Sequence, residues 1–339
     1  MLVSKNVSLK EFNSFHIDAR AQEFAAFSSL NELQAINPRP GSLILGGGSN
    51  ILLTSDIPKL VLKNDIKGIG KVKEDNEYVY IQAGAGESWH SFVMHCIQNN
   101  WAGVENLSLI PGNVGASPMQ NIGAYGVEIK DIFHELKAWH ISEKCNYTFS
   151  AKDCEFGYRE SIFKRKYKDQ FVILSVTYKL RKTPVYNISY GAIQQELEKM
   201  GVTQLSIKAV SDAVIAIRSS KLPDPAQTGN AGSFFKNPTV SAETFQQLKG
   251  RFDSIVGYEN SDGSVKLAAG WLIEHSGPDA ATSWKGYRRG DAGCHEKQAL
   301  VLVNYGNASG KEIYQLSEDI LTSVREKYGV ELEREVNVF

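Results

Sequence analysis

Apolar and polar positions in this chain change period several times, and the changes outline its elements. Residues 77–83 alternate Glu-Tyr-Val-Tyr-Ile-Gln-Ala, as a half-buried strand does. A turn at 84–86 leads into 88–99, where Trp89, Phe92, Val93, Cys96 and Ile97 fall on one helical face. Residues 42–45 and 60–62 read as strands and 21–30 as a helix, which makes the first 67 residues a small α/β unit. Longer strands are expected over 132–141 and 171–180, with an aromatic and basic segment, 154–166, between them. Helices follow over 191–200 and 210–219, before Pro223 and Pro225. A new α/β block begins near Asn230 and contains 241–250, 266–274 and a strand over 299–304. The helix 309–328 sets Ile313, Leu316, Ile320 and Val324 in a stripe and ends at Gly329. A last strand is expected over 331–339, and no internal repeat or low-complexity tract interrupts the pattern.

Composition narrows the class. A chain of 339 residues usually holds two or three domains. With 42% hydrophobic residues and a formal net charge of −1, it reads as a folded protein without a nucleic-acid footprint or a membrane-binding surface. No apolar run approaches the length of a membrane span, and residues 1–11 lack an apolar signal core, so a cytoplasmic protein is expected. The cysteines, Cys96, Cys145, Cys154 and Cys294, are spread out. Cys145 and Cys154 with His140 could be imagined as ligands, but nothing completes a metal site, and reduced thiols are the plain reading.

Residues 110–126 concentrate the candidate chemistry. They carry four glycines, two prolines, two asparagines and almost no charge, too many breakers for a helix or strand. Such a compact loop can turn its backbone N–H groups toward a phosphate. A second loop, Gly46, Gly47, Gly48, Ser49 and Asn50, follows the apolar run 43–45. Either loop alone is equally a tight turn with no ligand; together they favour a bound dinucleotide.

The two loops resemble the flavin-binding segments of the UDP-N-acetylenolpyruvoylglucosamine reductase family, in its longer subtype, over essentially the whole chain. The resemblance implies an α+β fold in which two α+β domains of the flavin oxidase/dehydrogenase type hold FAD and a third α/β domain binds substrate. Mapped on this chain, the domains are 1–67, 68–222 with 329–339, and 223–328. FAD would be bound non-covalently by Gly46, Gly47, Gly48, Ser49, Asn50, Pro111, Gly112, Asn113, Gly115, Ala116, Ser117, Gln120, Asn121, Ile122, Gly123, Gly126 and Arg218. NADPH would be the co-substrate, and the reaction would convert an enolpyruvyl UDP-sugar into UDP-N-acetylmuramate. A monomer is expected, with no nucleic-acid or membrane partner.

The resemblance also redirects three motifs that the residues alone leave open. Tyr158 and Arg159 by themselves read as a surface pair; the family pattern sets Arg159 on the substrate carboxylate, with Tyr158 at the same wall. Residues 229–238 read as a boundary loop followed by a helix cap; the pattern makes Ser233 the proton donor and Asn237 a substrate contact. Glu331, Glu333 and Glu335 alternate and read as a solvent-facing strand edge; the pattern selects Glu335 as a catalyst. Tyr190, Lys221, Tyr258, Lys285 and Gln298 match substrate-binding positions. The rival readings are another FAD oxidoreductase of the same fold and a UDP-sugar-binding protein without turnover.

Overall fold

The computed structural model describes residues 3–279 and 282–339. Its backbone contacts divide into two units: the first takes in the chain up to Val7, Arg20–Gly48 and Ile57–Ser220, the second Ser8–Ala19, Ser49–Asp56 and Lys221–Phe339.

The first unit contains two sheets. In one, the strands lie in the order Ser4–Ser8, Arg20–Phe27, Ile57–Asn64, Leu43–Leu45, and the last three run parallel. Residues 20–27 thus form a strand where 21–30 was expected to be helical. Alanine-rich composition favours a helix, but the ladder to 57–64 and the burial of Ala21, Ala25 and Phe27 override that propensity. The helix α1 starts later, at Leu30–Ile36, after Ser29 caps it by accepting from the N–H of Glu32.

The other sheet is antiparallel, ordered Asn146–Ser150, Phe133–His140, Phe171–Arg181, Tyr78–Gly84, Ile69–Glu74. Helix α2, Trp89–Gln98, covers it with the five apolar residues that its spacing predicts. Trp89 and Phe92 close around Tyr178, with ring centroids 5.6 Å and 4.8 Å away. The buried Tyr178 hydroxyl in turn meets Ser117 Oγ at 2.7 Å, so the core itself fixes the second glycine loop. After a short α3, Ala151–Cys154, helices α4, Gly191–Lys199, and α5, Ile207–Lys221, share a small apolar cluster with Tyr125.

The second unit is built on an antiparallel sheet ordered Gly229–Ser233, Gln298–Asn304, Ala292–His295, Arg288–Arg289. Residues 229–233, which read as a loop, are therefore an edge strand. A smaller sheet joins Thr239–Val240, Val265–Leu267 and Gly257–Glu259. The helices are α6, Ala242–Arg251; α7, Ala269–Ser276; and α8, Gly310–Tyr328. A Ser309–Glu312 capping box starts α8, Gly329 ends it in the left-handed conformation, and Ile313, Leu316, Ile320 and Val324 are buried as their spacing requires.

The chain end departs from the expected long strand. Only Asn337–Val338 forms a strand, parallel to Ile51–Leu52. Upstream, Arg334 makes an isolated bridge with Phe235, and the Glu333 carbonyl accepts from Lys236 N–H. The segment expected to join 68–222 finds these hydrogen-bond partners within the second unit.

Candidate active site

In the first unit the two glycine loops touch. A Cβ added at Gly47 would lie 2.9 Å from Gly112 Cα and 2.9 Å from Asn113 Oδ1, so only glycine allows this approach. The second loop is pinned to the turn before α2: Trp89 N–H donates to Gly112 O, Val114 N–H to Glu87 O and Gly115 N–H to Ala85 O, at 2.8–2.9 Å. The N–H groups of Gly47 and Gly112 find no acceptor among the described residues. Unpaired N–H groups on closely apposed glycine loops suit an anionic ligand such as a diphosphate.

Farther along this loop, the chain is folded onto residues 157–161. Buried Asn121 donates to Gly157 O at 2.9 Å and Glu128 Oε2 at 3.2 Å, and accepts from Lys130 N–H at 3.0 Å. Ser161 Oγ donates to Met119 O at 2.6 Å. Arg159 donates to Gly123 O at 2.5 Å, and its guanidinium lies 5.3 Å from the Tyr158 ring. Leu109, Asn121, Tyr125 and Arg159 all have positive φ, between 43° and 57°. Non-glycine residues held this way cost about 1–3 kcal/mol each and concentrate at functional sites.

Arg218 on α5 donates to Leu109 O at 3.3 Å. Burial lowers its pKa, the charge of Arg159 lowers it further, and Tyr125 opposes both. Tyr125 stands edge-on to Tyr190, with centroids 5.3 Å apart, and Tyr190 itself is 47% exposed.

The second unit gathers a different set. Gly232, with φ +69°, and a register shift between Asn230 and Ser233 break the edge strand just before Ser233. Phe234 and Phe235 then anchor the chain in the core. Glu335 is joined to this segment through its N–H, 2.9 Å from Phe234 O, while its own carbonyl accepts from Asn50 Nδ2 at 3.2 Å. Ser233, Glu335 and the end of the first glycine loop thus belong to one hydrogen-bonded region. Glu333 instead pairs with Lys236, with Nζ and Oε1 2.5 Å apart.

Helix α7 collects three of the substrate candidates. Asn237 Oδ1 accepts from Ala269 N–H at 3.0 Å and so caps the helix. Gln298 Oε1 would sit 2.7 Å from a Cβ at Gly270, and Lys285 pairs with Glu274 at 2.9 Å. Tyr258 lies opposite Lys266 on the small sheet, 53% exposed, and Lys221 is exposed at the end of α5. Sequence reasoning passed over Asn106, Glu128 and Asn187, because a lone polar residue gives no signal until the carbonyls facing it are known.

Among the described residues no helix is long and apolar enough to cross a membrane, and no group of His, Cys, Asp or Glu could hold a metal ion. Residues 40–142 match the family described as FAD binding domain, and residues 224–339 match the UDP-N-acetylenolpyruvoylglucosamine reductase, C-terminal domain. The UDP-N-acetylenolpyruvoylglucosamine reductase of Flavobacterium johnsoniae is 51% identical over the full length of both chains. That of Pseudomonas syringae pv. syringae is 48% identical, covering 99% of each. The crystal structure of the Thermus caldophilus enzyme superposes with a TM-score of 0.69 at 22% identity, covering 99% of this chain and 98% of its own, a likeness of fold.

Proposed function

The chain belongs to the UDP-N-acetylenolpyruvoylglucosamine reductase family, and from that premise we propose how its residues perform the family's reaction. The protein is an FAD-dependent oxidoreductase of peptidoglycan precursor synthesis, using NADPH to reduce UDP-N-acetyl-3-O-(1-carboxyvinyl)glucosamine to UDP-N-acetylmuramate. FAD, when bound, would supply the redox chemistry, hydride transfer from NADPH to the enolpyruvyl group.

The glycine loops 46–50 and 111–126 would hold the FAD diphosphate on their N–H groups. Arg159 would grip the substrate carboxylate, where charge builds as the hydride arrives; its planar guanidinium matches that group. Tyr158 would add an O–H at the same wall. Ser233 would give the proton to the carbon beside the carboxylate, and Glu335 would steady the enolate-like charge. Arg218 would serve the cofactor phosphates. Asn237, Lys285 and Gln298 would bind the UDP-sugar from α7, with Lys221 on its diphosphate and Tyr190 and Tyr258 closing over it. The single observation that carries this reading is the close approach of the two glycine loops, where a Cβ at Gly47 would meet Gly112 Cα at 2.9 Å.

We take 1–67 and 68–222 as the cofactor-binding domains and 223–328 as the substrate-binding domain, with 329–339 grouped with the latter. The protein would act as a cytoplasmic monomer without a nucleic-acid partner, in keeping with its near-neutral charge.

Anaerobic NADPH should bleach the flavin absorbance, and adding the enolpyruvyl substrate should restore it. Acid precipitation should leave a colourless pellet and FAD in the supernatant; colour in the pellet overturns non-covalent binding. Gly47→Ala should weaken FAD binding about tenfold or more, because the added methyl forces the loops apart. Fluorescence titration of the apoprotein measures this, and unchanged affinity would remove Gly47 from the cofactor site.

A further inference from the structure

We propose that Asn106 is a positioning residue for the substrate loop: its buried carboxamide fastens the segment carrying Tyr190 to the end of the second glycine loop. Asn106 is 2% exposed and sits in the 3-10 turn Glu105–Leu107. That turn is held from three sides. The Glu105 carboxylate accepts from Gly103 N–H at 2.6 Å, Trp89 Nε1 donates to Leu107 O at 2.8 Å, and Ser108 Oγ meets Ser211 Oγ of α5 at 2.8 Å. Asn106 therefore projects from a rigid base.

From that base, Nδ2 makes two hydrogen bonds to two separate segments, 3.0 Å to Tyr125 O and 2.8 Å to Asn187 O. Asn187 completes the link by donating from its own Nδ2 to Gly126 O at 3.0 Å and accepting from Ser189 Oγ at 2.9 Å. The spacing of the two main chains is set by one planar amide. It also sets the edge-on contact between Tyr125 and Tyr190. Aspartate has no donors for this task, and an apolar residue would leave two carbonyls without partners.

The inference rests on reading Tyr190 as a substrate contact, so the experiment includes that residue. The holoenzymes Asn106→Ala, Tyr190→Ala and the double variant are compared for KM of the enolpyruvyl substrate and for the rate of flavin reduction by NADPH. Each single change should raise KM about tenfold, with flavin reduction by NADPH within about twofold of normal. The double variant should match Tyr190→Ala, because Asn106 acts through the loop that carries it. A KM rise equal to the product of the two single effects, or an unchanged KM in Asn106→Ala, overturns the proposal. An unchanged KM in Tyr190→Ala alone overturns instead the reading of Tyr190. If Asn106→Ala does not fold, Asn187→Ala removes only the partly exposed half of the link. It should raise KM with the same lack of additivity, and a normal KM there overturns the proposal.

Discussion

Ser233→Ala is expected to leave flavin reduction by NADPH within about twofold of normal and to slow reoxidation by the enolpyruvyl substrate ~10²–10⁴-fold, the usual loss on removing a positioned proton donor. The structure makes this a clean substitution. The backbone at 233 is set by Gly232 and by Asn230, whose Oδ1 accepts from Gly232 N–H at 2.9 Å, and the next two residues are buried phenylalanines. Losing one hydroxyl disturbs none of these. The Tm should therefore barely change, while stopped-flow traces separate the two half-reactions. Ser233 is intrinsically a weak acid, so the measured loss also reports how well the surroundings assist it. Equal slowing of both half-reactions would make its role structural.

Much of the proposed site can be read from the sequence because its motifs are local. Glycine loops, the Tyr158–Arg159 pair and the run around Ser233 each sit within a few residues. Helices α2 and α8 are legible for the same reason: caps and apolar stripes are written along one stretch of chain. What fails is what depends on partners distant in sequence. Residues 20–27 look helical until the parallel neighbour 57–64 supplies a ladder. The chain end looks like one long strand, but its partners are short pieces, Ile51–Leu52 and the single bridge at Phe235. The grouping of Asn237, Lys285 and Gln298 along α7 is equally invisible, since three separate segments must fold onto one helix.

Glu335→Gln is expected to lower turnover strongly with little change in binding. Its main chain is held on both sides, by Phe234 O and by Asn50 Nδ2, so the substitution leaves the backbone in place while an amide replaces the carboxylate. A group that acts on charge appearing in the transition state affects kcat more than KM. Reoxidation at saturating substrate should fall ~10²–10³-fold. Glu333 and Glu331 supply the controls, and the structure separates what each should do. Glu333→Gln weakens the pairing with the largely buried Lys236, but the Glu333 side chain is 70% exposed, so water screens the pair. Its loss should lower stability by about 1 kcal/mol or less, with turnover near normal. Glu331, exposed and 3.9 Å from Arg325, should tolerate the change in both measurements. A general field of the acidic terminus would slow all three variants alike. Equal, mild losses would therefore move the charge-stabilising role away from Glu335, to another group.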